Sequence, residues 1–188
     1  MTFFDLFLLA TGDAMDACAI SMAKGTTTRK PTLRHYMSVG VWFGGFQALM
    51  TLLGYFVGSK FSHIVESCDH WISFVLLALL GVGMIKDALS KDEKPVDSSF
   101  SAKHMLVMAI ATSIDALAVG VSLAFVEVNI WTASLLVGIV TFLLSFAGLK
   151  IGNIFGNRYK TLAELTGGLI LIGIGAKILI SHLTGCTV

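Results

Sequence analysis

The sequence predicts an all-α integral membrane protein of six transmembrane helices, arranged as two inverted-topology three-helix repeats. Three observations carry that expectation. Of the 188 residues, 55% are hydrophobic and only 13% charged, whereas an ordinary soluble domain carries about 25% charge. The apolar residues gather into six runs, each close to the roughly 20 helical residues that cross a bilayer. The first three runs also resemble the last three, in order.

The runs cover 3–23, 36–58, 69–89, 105–126, 131–155 and 163–184. The first has no basic segment before it, and Asp13 and Asp16 interrupt the place where a signal-peptide core would end, so it reads as a retained helix. Pro31 and Pro95 both fall between runs, the second in the charged connector Lys91-Asp92-Glu93-Lys94-Pro95. The chain therefore divides into a first repeat (1–90), a cytoplasmic charged linker (91–104) and a second repeat (105–188). Strands of an outer-membrane barrel alternate polar and apolar residues, and the run 72–80 does not. Six spans leave no room for a catalytic domain, so an enzyme is not expected.

Assigned to alternate sides, eleven of the 13 Lys and Arg residues fall in the first, third and fifth connections, and only Lys60 and Lys177 on the other side. The positive-inside rule then puts both termini outside. A net charge of +1 gives no overall footprint for nucleic acid. Cys18, Cys68 and Cys186 form neither an even framework nor a CxxC pair, and read as unpaired packing residues.

The repeat is visible in detail. Ala14-Met15-Asp16-Ala17-Cys18-Ala19-Ile20 parallels Ser113-Ile114-Asp115-Ala116-Leu117-Ala118-Val119 at a spacing of 99. Gly40, Gly54 and Gly58 match Gly138, Gly152 and Gly156 at 98, and Gly81 and Gly83 match Gly173 and Gly175 at 92. With three helices per half, the second half must enter the membrane from the opposite side, an arrangement of secondary transporters. Most of the 19 glycines read simply as sites of close helix packing.

Asp16 lies roughly 20 Å into the first span and Asp115 roughly 15 Å into the fourth, entered from the other side. A carboxylate at such depth costs roughly 2.5 to 3.5 kcal/mol on insertion scales, so both are expected to face a cation, water or each other. A structural alternative is a protonated or salt-bridged pair that locks the bundle, although no Lys or Arg lies at comparable depth in these two spans. Asp13 and Thr112 each precede the central aspartate by three residues and share its helix face. Gln47 and Ser145, at the spacing of 98, add polar groups to the second and fifth spans. Carboxylate, amide and hydroxyl oxygens together suit a hard divalent cation such as Mg2+, Ca2+ or Mn2+. Zinc or copper would call for Cys or His, yet Cys18 is about 200° around the helix from Asp16. The five histidines fall in connections or near span ends. Met15 and Met22 read as packing residues. Asp87, near the inner end of the third span, either collects a cytoplasmic cation or is a solvated charge. Lys150 and Lys177 are expected to reach the interface or to pair with an acid.

At Gly12-Asp13-Ala14-Met15-Asp16-Ala17-Cys18-Ala19-Ile20-Ser21 with Lys24-Gly25, and again at Ala111-Thr112-Ser113-Ile114-Asp115-Ala116-Leu117-Ala118-Val119-Gly120, the sequence resembles the bacterial manganese efflux pump family, MntP. Phe43-Gly44-Gly45-Phe46-Gln47-Ala48-Leu49-Met50 and the ending Leu171-Ile172-Gly173-Ile174-Gly175 extend the likeness along the whole chain. The resemblance implies an inner-membrane exporter of excess Mn2+, related to the wider superfamily that includes lysine exporters. It carries over Asp16 and Asp115 as the central acidic residues, with Gln47 and Asp87 at polar positions. Two departures stand out: position 13 is more often uncharged in that family, and Thr51 replaces a usual proline.

Exporting a cation against an inside-negative potential costs about 2.3 kcal/mol per charge per 100 mV, so a driving ion is needed. No GxxxxGK[ST] motif is present to bring ATP to the task. The expectation is thus a secondary transporter with Mn2+ as substrate, protons as coupling ion, the lipid bilayer as its surroundings and no cofactor. The alternatives are an exporter of a small cationic solute such as an amino acid, a non-transporting membrane metal sensor, and an intramembrane hydrolase whose two carboxylates share a proton.

Overall fold

The computed structural model describes residues 2–28, 30–61, 74–75, 77–79, 82–83, 85–86, 89, 100–155 and 160–183. Among them the regular structure is entirely helical: α1 (Phe3–Thr27), α2 (Leu33–Phe61), α3 (Ala102–Thr112), α4 (Ile114–Leu123), α5 (Ile130–Phe155) and α6 (Lys160–Leu183). Four stretches are long and apolar enough to cross a membrane, namely Phe3–Thr27, Leu33–Lys60, Ala102–Leu123 and Ile130–Phe155, and α6 contains the shorter apolar stretch Gly168–Ile180. The chain is a multi-pass membrane protein. Of the third predicted span, the described residues between 74 and 89 are helical. Its remainder and the connector 91–99 lie outside the described residues.

Local chemistry explains where α1 begins and ends. The Asp5 carboxylate accepts from the Thr2 backbone N–H at 3.2 Å, satisfying a donor at the first turn. At the other end Thr26, Thr27 and Thr28 donate their hydroxyls to the carbonyls of Ala23 and Lys24. The bonds to Lys24 O occupy a carbonyl of the last turn that lacks an intrahelical partner, and the helix runs four residues past the predicted boundary.

The fourth predicted span is not one helix. Ser113, at φ −97° and ψ 5°, separates α3 from α4. Its N–H is shared between the carbonyls of Ala109 and Ile110 and its hydroxyl also donates to Ala109 O, so local bonds supply what a regular turn would. Asp115 thereby falls in the first turn of α4, where the positive end of the helix dipole favours a carboxylate.

Outward faces are apolar: Val41, Leu49, Leu53 and Val57 on α2, and Trp131, Leu135, Ile139 and Leu143 on α5, are all exposed. In lipid such stripes need no cover, and helix association depends instead on close packing of small residues. The opposite faces of α2 and α5 supply them in matching ladders. Gly40, Gly44, Gln47, Thr51, Gly54 and Gly58 follow one another at intervals of four and three, and Ser134, Gly138, Thr141, Ser145, Gly148 and Gly152 repeat that pattern 94 residues later.

Contacts exchange at the same spacing. A Cβ on Gly40 would meet the Phe142 ring, while Ser134 donates to Ala48 O at 2.8 Å. Gly44 abuts Gly138 O and Gly138 abuts Gly44 O. Gly54 and Gly58 lie against the carbonyl oxygens of Leu117 and Val121 on α4, as Gly148 and Gly152 lie against those of Cys18 and Met22 on α1. In α2 and α5 the contacts therefore match residues one helical turn away from the 98-residue spacing of the glycines.

Apolar clusters occupy both ends of this arrangement. Leu6, Leu9, Val119, Leu123, Ile130 and Ile178 belong to one, and Ala17, Val39, Phe43, Met105, Ala109 and Leu149 to another. Along α1, Asp13 and Asp16 fall between them.

Candidate cation site

The site is assembled by α1, α2, α4 and α5. On α1, Asp13 is 1% exposed, and neither of its carboxylate oxygens has a hydrogen-bond partner among the described residues. Asp16 is only partly enclosed, as is Asp115. The side chains of Asp16 and Asp115 lie within hydrogen-bonding reach of one another. Two carboxylates in such contact hold a proton or a cation between them. Asp16 Oδ1 also accepts from the Ala17 N–H at 2.6 Å.

Gln47, fully buried, connects α2 to this pair. Its Nε2 donates to the Asp13 backbone carbonyl at 3.1 Å and to Asp16 Oδ1 at 3.4 Å. Its Oε1 accepts from the hydroxyl of Thr141 on α5. The amide thus presents N–H groups to the carboxylate and keeps its oxygen turned away. Among the described residues, no group of three or more His, Cys, Asp and Glu side chains is positioned to hold a metal ion.

Residues 30–179 match the model of a family described as "Putative manganese efflux pump". Three proteins named "Putative manganese efflux pump MntP" are similar over almost their full lengths. The protein of Acetivibrio thermocellus is 50% identical, across 97% of this chain and 93% of the relative. Those of Campylobacter jejuni (strain RM1221), 52% identical across 97% and 98%, and Desulfitobacterium hafniense, 48% identical across 95% of each, agree. The chain belongs to the MntP manganese efflux pump family. No solved structure matches it.

The family match begins after α1, whereas these relatives extend over 179 to 184 residues. In this MntP chain, Asp16, Asp115 and Gln47 come together, with Asp13 joined to Gln47 through its backbone. The other residues expected from the sequence stand differently. Thr112 is buried, but its hydroxyl donates to Met108 O and Ala109 O of its own helix. Ser145 is fully buried and its Oγ has no partner among the described residues. Asp87 lies outside the described residues.

Two hydroxyl residues were not expected at the site, although Thr51 stood out for replacing a proline. Thr141 holds the Gln47 amide, and Thr51, fully buried, donates to Gln47 O at 2.8 Å. The available signal was spacing: Thr141 lies four residues before Ser145 and Thr51 four after Gln47, each on the same helix face.

The remaining expectations concern neighbours. Cys18 is a buried free thiol packed against Gly148, and Met22 is buried beside it. His35 and His104 stand in the first turns of α2 and α3. Lys177 pairs with Asp5, Nζ to Oδ1 2.5 Å, and Lys150 is exposed. Lys24 is completely buried, its Nζ 4.7 Å from the centroid of the Phe100 ring.

Proposed function

We propose that this chain exports Mn2+ from the bacterial cytoplasm across the inner membrane, binding it between Asp16 and Asp115 near the middle of the bilayer. The observation that carries the reading is the contact between those two carboxyl groups, brought together from α1 and α4, in a chain of the manganese efflux pump family. Asp13 adds a third carboxylate nearby. Thr112, Gln47, Ser145 and Asp87 are the further oxygen donors assigned to the cation path. Oxygen ligands suit Mn2+ and disfavour zinc and copper, which bind thiolate and imidazole well.

The chain works as two three-helix repeats of opposite orientation, 1–90 and 105–188, joined by the cytoplasmic linker 91–104, with both termini outside. The exchanged contacts of α2 and α5 support this reading. One repeat rocks against the other around the site, and protons entering the carboxylate site drive Mn2+ out. The carboxylate chemistry favours this coupling, since a proton and a cation compete for the same oxygens.

The test is total cellular manganese in a manganese-sensitive bacterial host under manganese challenge, expressing the native chain, Asp16→Asn or Asp115→Asn at matched membrane levels. Only the native chain is expected to lower manganese, with iron and zinc level. Unchanged manganese in all three would overturn Mn2+ as substrate and favour a small cationic solute. Coupling is checked in everted vesicles: Mn2+ uptake that persists after collapse of the pH gradient at fixed voltage would exclude protons as the driving ion.

A further inference from the structure

We infer that Thr141 is a positioning residue for the cation site, setting through Gln47 which end of an amide faces Asp16. This rests on the export reading above. Buried hydroxyls in membrane helices usually donate to a carbonyl one turn back, and Ser21, Thr51, Thr112, Ser113 and Ser122 all do so. Buried Ser134 and Thr141 instead donate across the α2–α5 interface, Ser134 to the Ala48 backbone carbonyl and Thr141 to a side chain, Gln47 Oε1. Thr141 lies 94 residues from Gln47, the spacing at which the contacts of α2 and α5 exchange, so the two residues are counterparts that meet.

In the empty site the Asp13 backbone carbonyl sets the amide's orientation. The Asp13 backbone carbonyl can only accept, so the group facing it is the nitrogen. The same nitrogen then faces Asp16 Oδ1, and the hydroxyl proton of Thr141 satisfies the oxygen at the far end. A cation arriving between Asp16 and Asp115 requires the reverse orientation, because an amide N–H repels it and the carbonyl oxygen is a hard ligand. Threonine permits that turn: its hydroxyl both donates and accepts, so it serves Oε1 before the turn and Nε2 after it. Either orientation keeps a partner for the end of the amide that faces Thr141, where an unpartnered amide group is costly. Thr141 therefore keeps the Gln47 amide satisfied in the empty site and lets it turn its oxygen to a cation in the loaded one.

The test uses everted membrane vesicles containing the full chain, with Mn2+ uptake measured over a concentration series for the native protein, Thr141→Val and Thr141→Ser at equal protein levels. Valine keeps the shape and removes the hydroxyl. Thr141→Val is expected to raise the half-saturating Mn2+ concentration about tenfold, with the maximal rate within about twofold of native. Thr141→Ser, which keeps the hydroxyl, is expected to remain within about twofold in both. An unchanged half-saturation in Thr141→Val would overturn the assignment, and so would a loss of maximal rate alone or a serine variant as impaired as the valine one. Absence of Mn2+ uptake by the native chain would overturn the export reading itself, which distinguishes the two failures.

Discussion

The carbonyl oxygen of Met22 lies 1.9 Å from where a Cβ on Gly152 would stand, and that of Leu117 lies 2.0 Å from the corresponding point on Gly54. These oxygens belong to helix backbones, which cannot yield as a side-chain tip can. Even one methyl group must therefore push α1 from α5, or α4 from α2.

Gly152→Ala and Gly54→Ala are expected to destabilise the protein by about 1–3 kcal/mol, the usual cost of overpacking. A control comes from Gly45, whose added Cβ would meet nothing within 4 Å. There alanine is expected to be neutral or to stabilise by up to about 1 kcal/mol through helix propensity. Thermal unfolding of the purified protein in detergent checks the order, and a Gly45 variant as unstable as the other two would contradict it.

At the 99-residue spacing that aligns Asp16 with Asp115, Asp13 corresponds to Thr112. A buried carboxylate with unpartnered oxygens is costly, whereas Thr112 directs its hydroxyl to its own helix. Asp13→Thr is expected to stabilise the metal-free protein by about 1–2 kcal/mol, because threonine can return its hydroxyl to Leu9 O in the same manner. It is also expected to weaken Mn2+ uptake in vesicles by removing a carboxyl group that can serve the cation. A lower melting temperature, or uptake identical to native, would show that Asp13 has a partner or role of another kind.

Lys177 and Asp5 join α6 to the first turn of α1, with 46% of the Lys177 side chain exposed against 8% for Asp5. An ion pair so open contributes about 0–1 kcal/mol, so Lys177→Ala is expected to cost less than that. Asp5→Ala removes the pair and also the acceptor for the Thr2 N–H, and is expected to cost about 1–2 kcal/mol. Melting curves in the same detergent compare them, and a costlier lysine variant would reverse the assignment.

The central residues were legible because their chemistry is out of place. Asp16, Asp115 and Gln47 are polar groups inside apolar runs, and the runs themselves betray helices. The 99-residue spacing that aligns Asp16 with Asp115 also relates Cys18 and Met22 to Leu117 and Val121, whose carbonyls receive the glycines. In α2 and α5 the sequence left a degeneracy. Glycines recur along one stripe at four- and three-residue steps, so registers of 98 and 94 both match glycine with glycine. Matching Gln47 with Ser145 and matching it with Thr141 differ by one turn on the same helix face. Only the packed helices choose, because contact depends on height along the bundle as well as on face.

The sequence by itself determined the helical class, its membrane setting and the acidic residues that interrupt the apolar runs. In a bilayer the backbone must satisfy its hydrogen bonds within each segment, so length, hydropathy and the 3.6-residue period suffice. The tertiary structure decided the break at Ser113, the crossing of Gly44 with Gly138 and the turn of the Gln47 amide toward Asp16. Each depends on groups far apart in the chain meeting within a few ångströms, or on local hydroxyl bonds competing with a helical turn, and hydropathy registers neither.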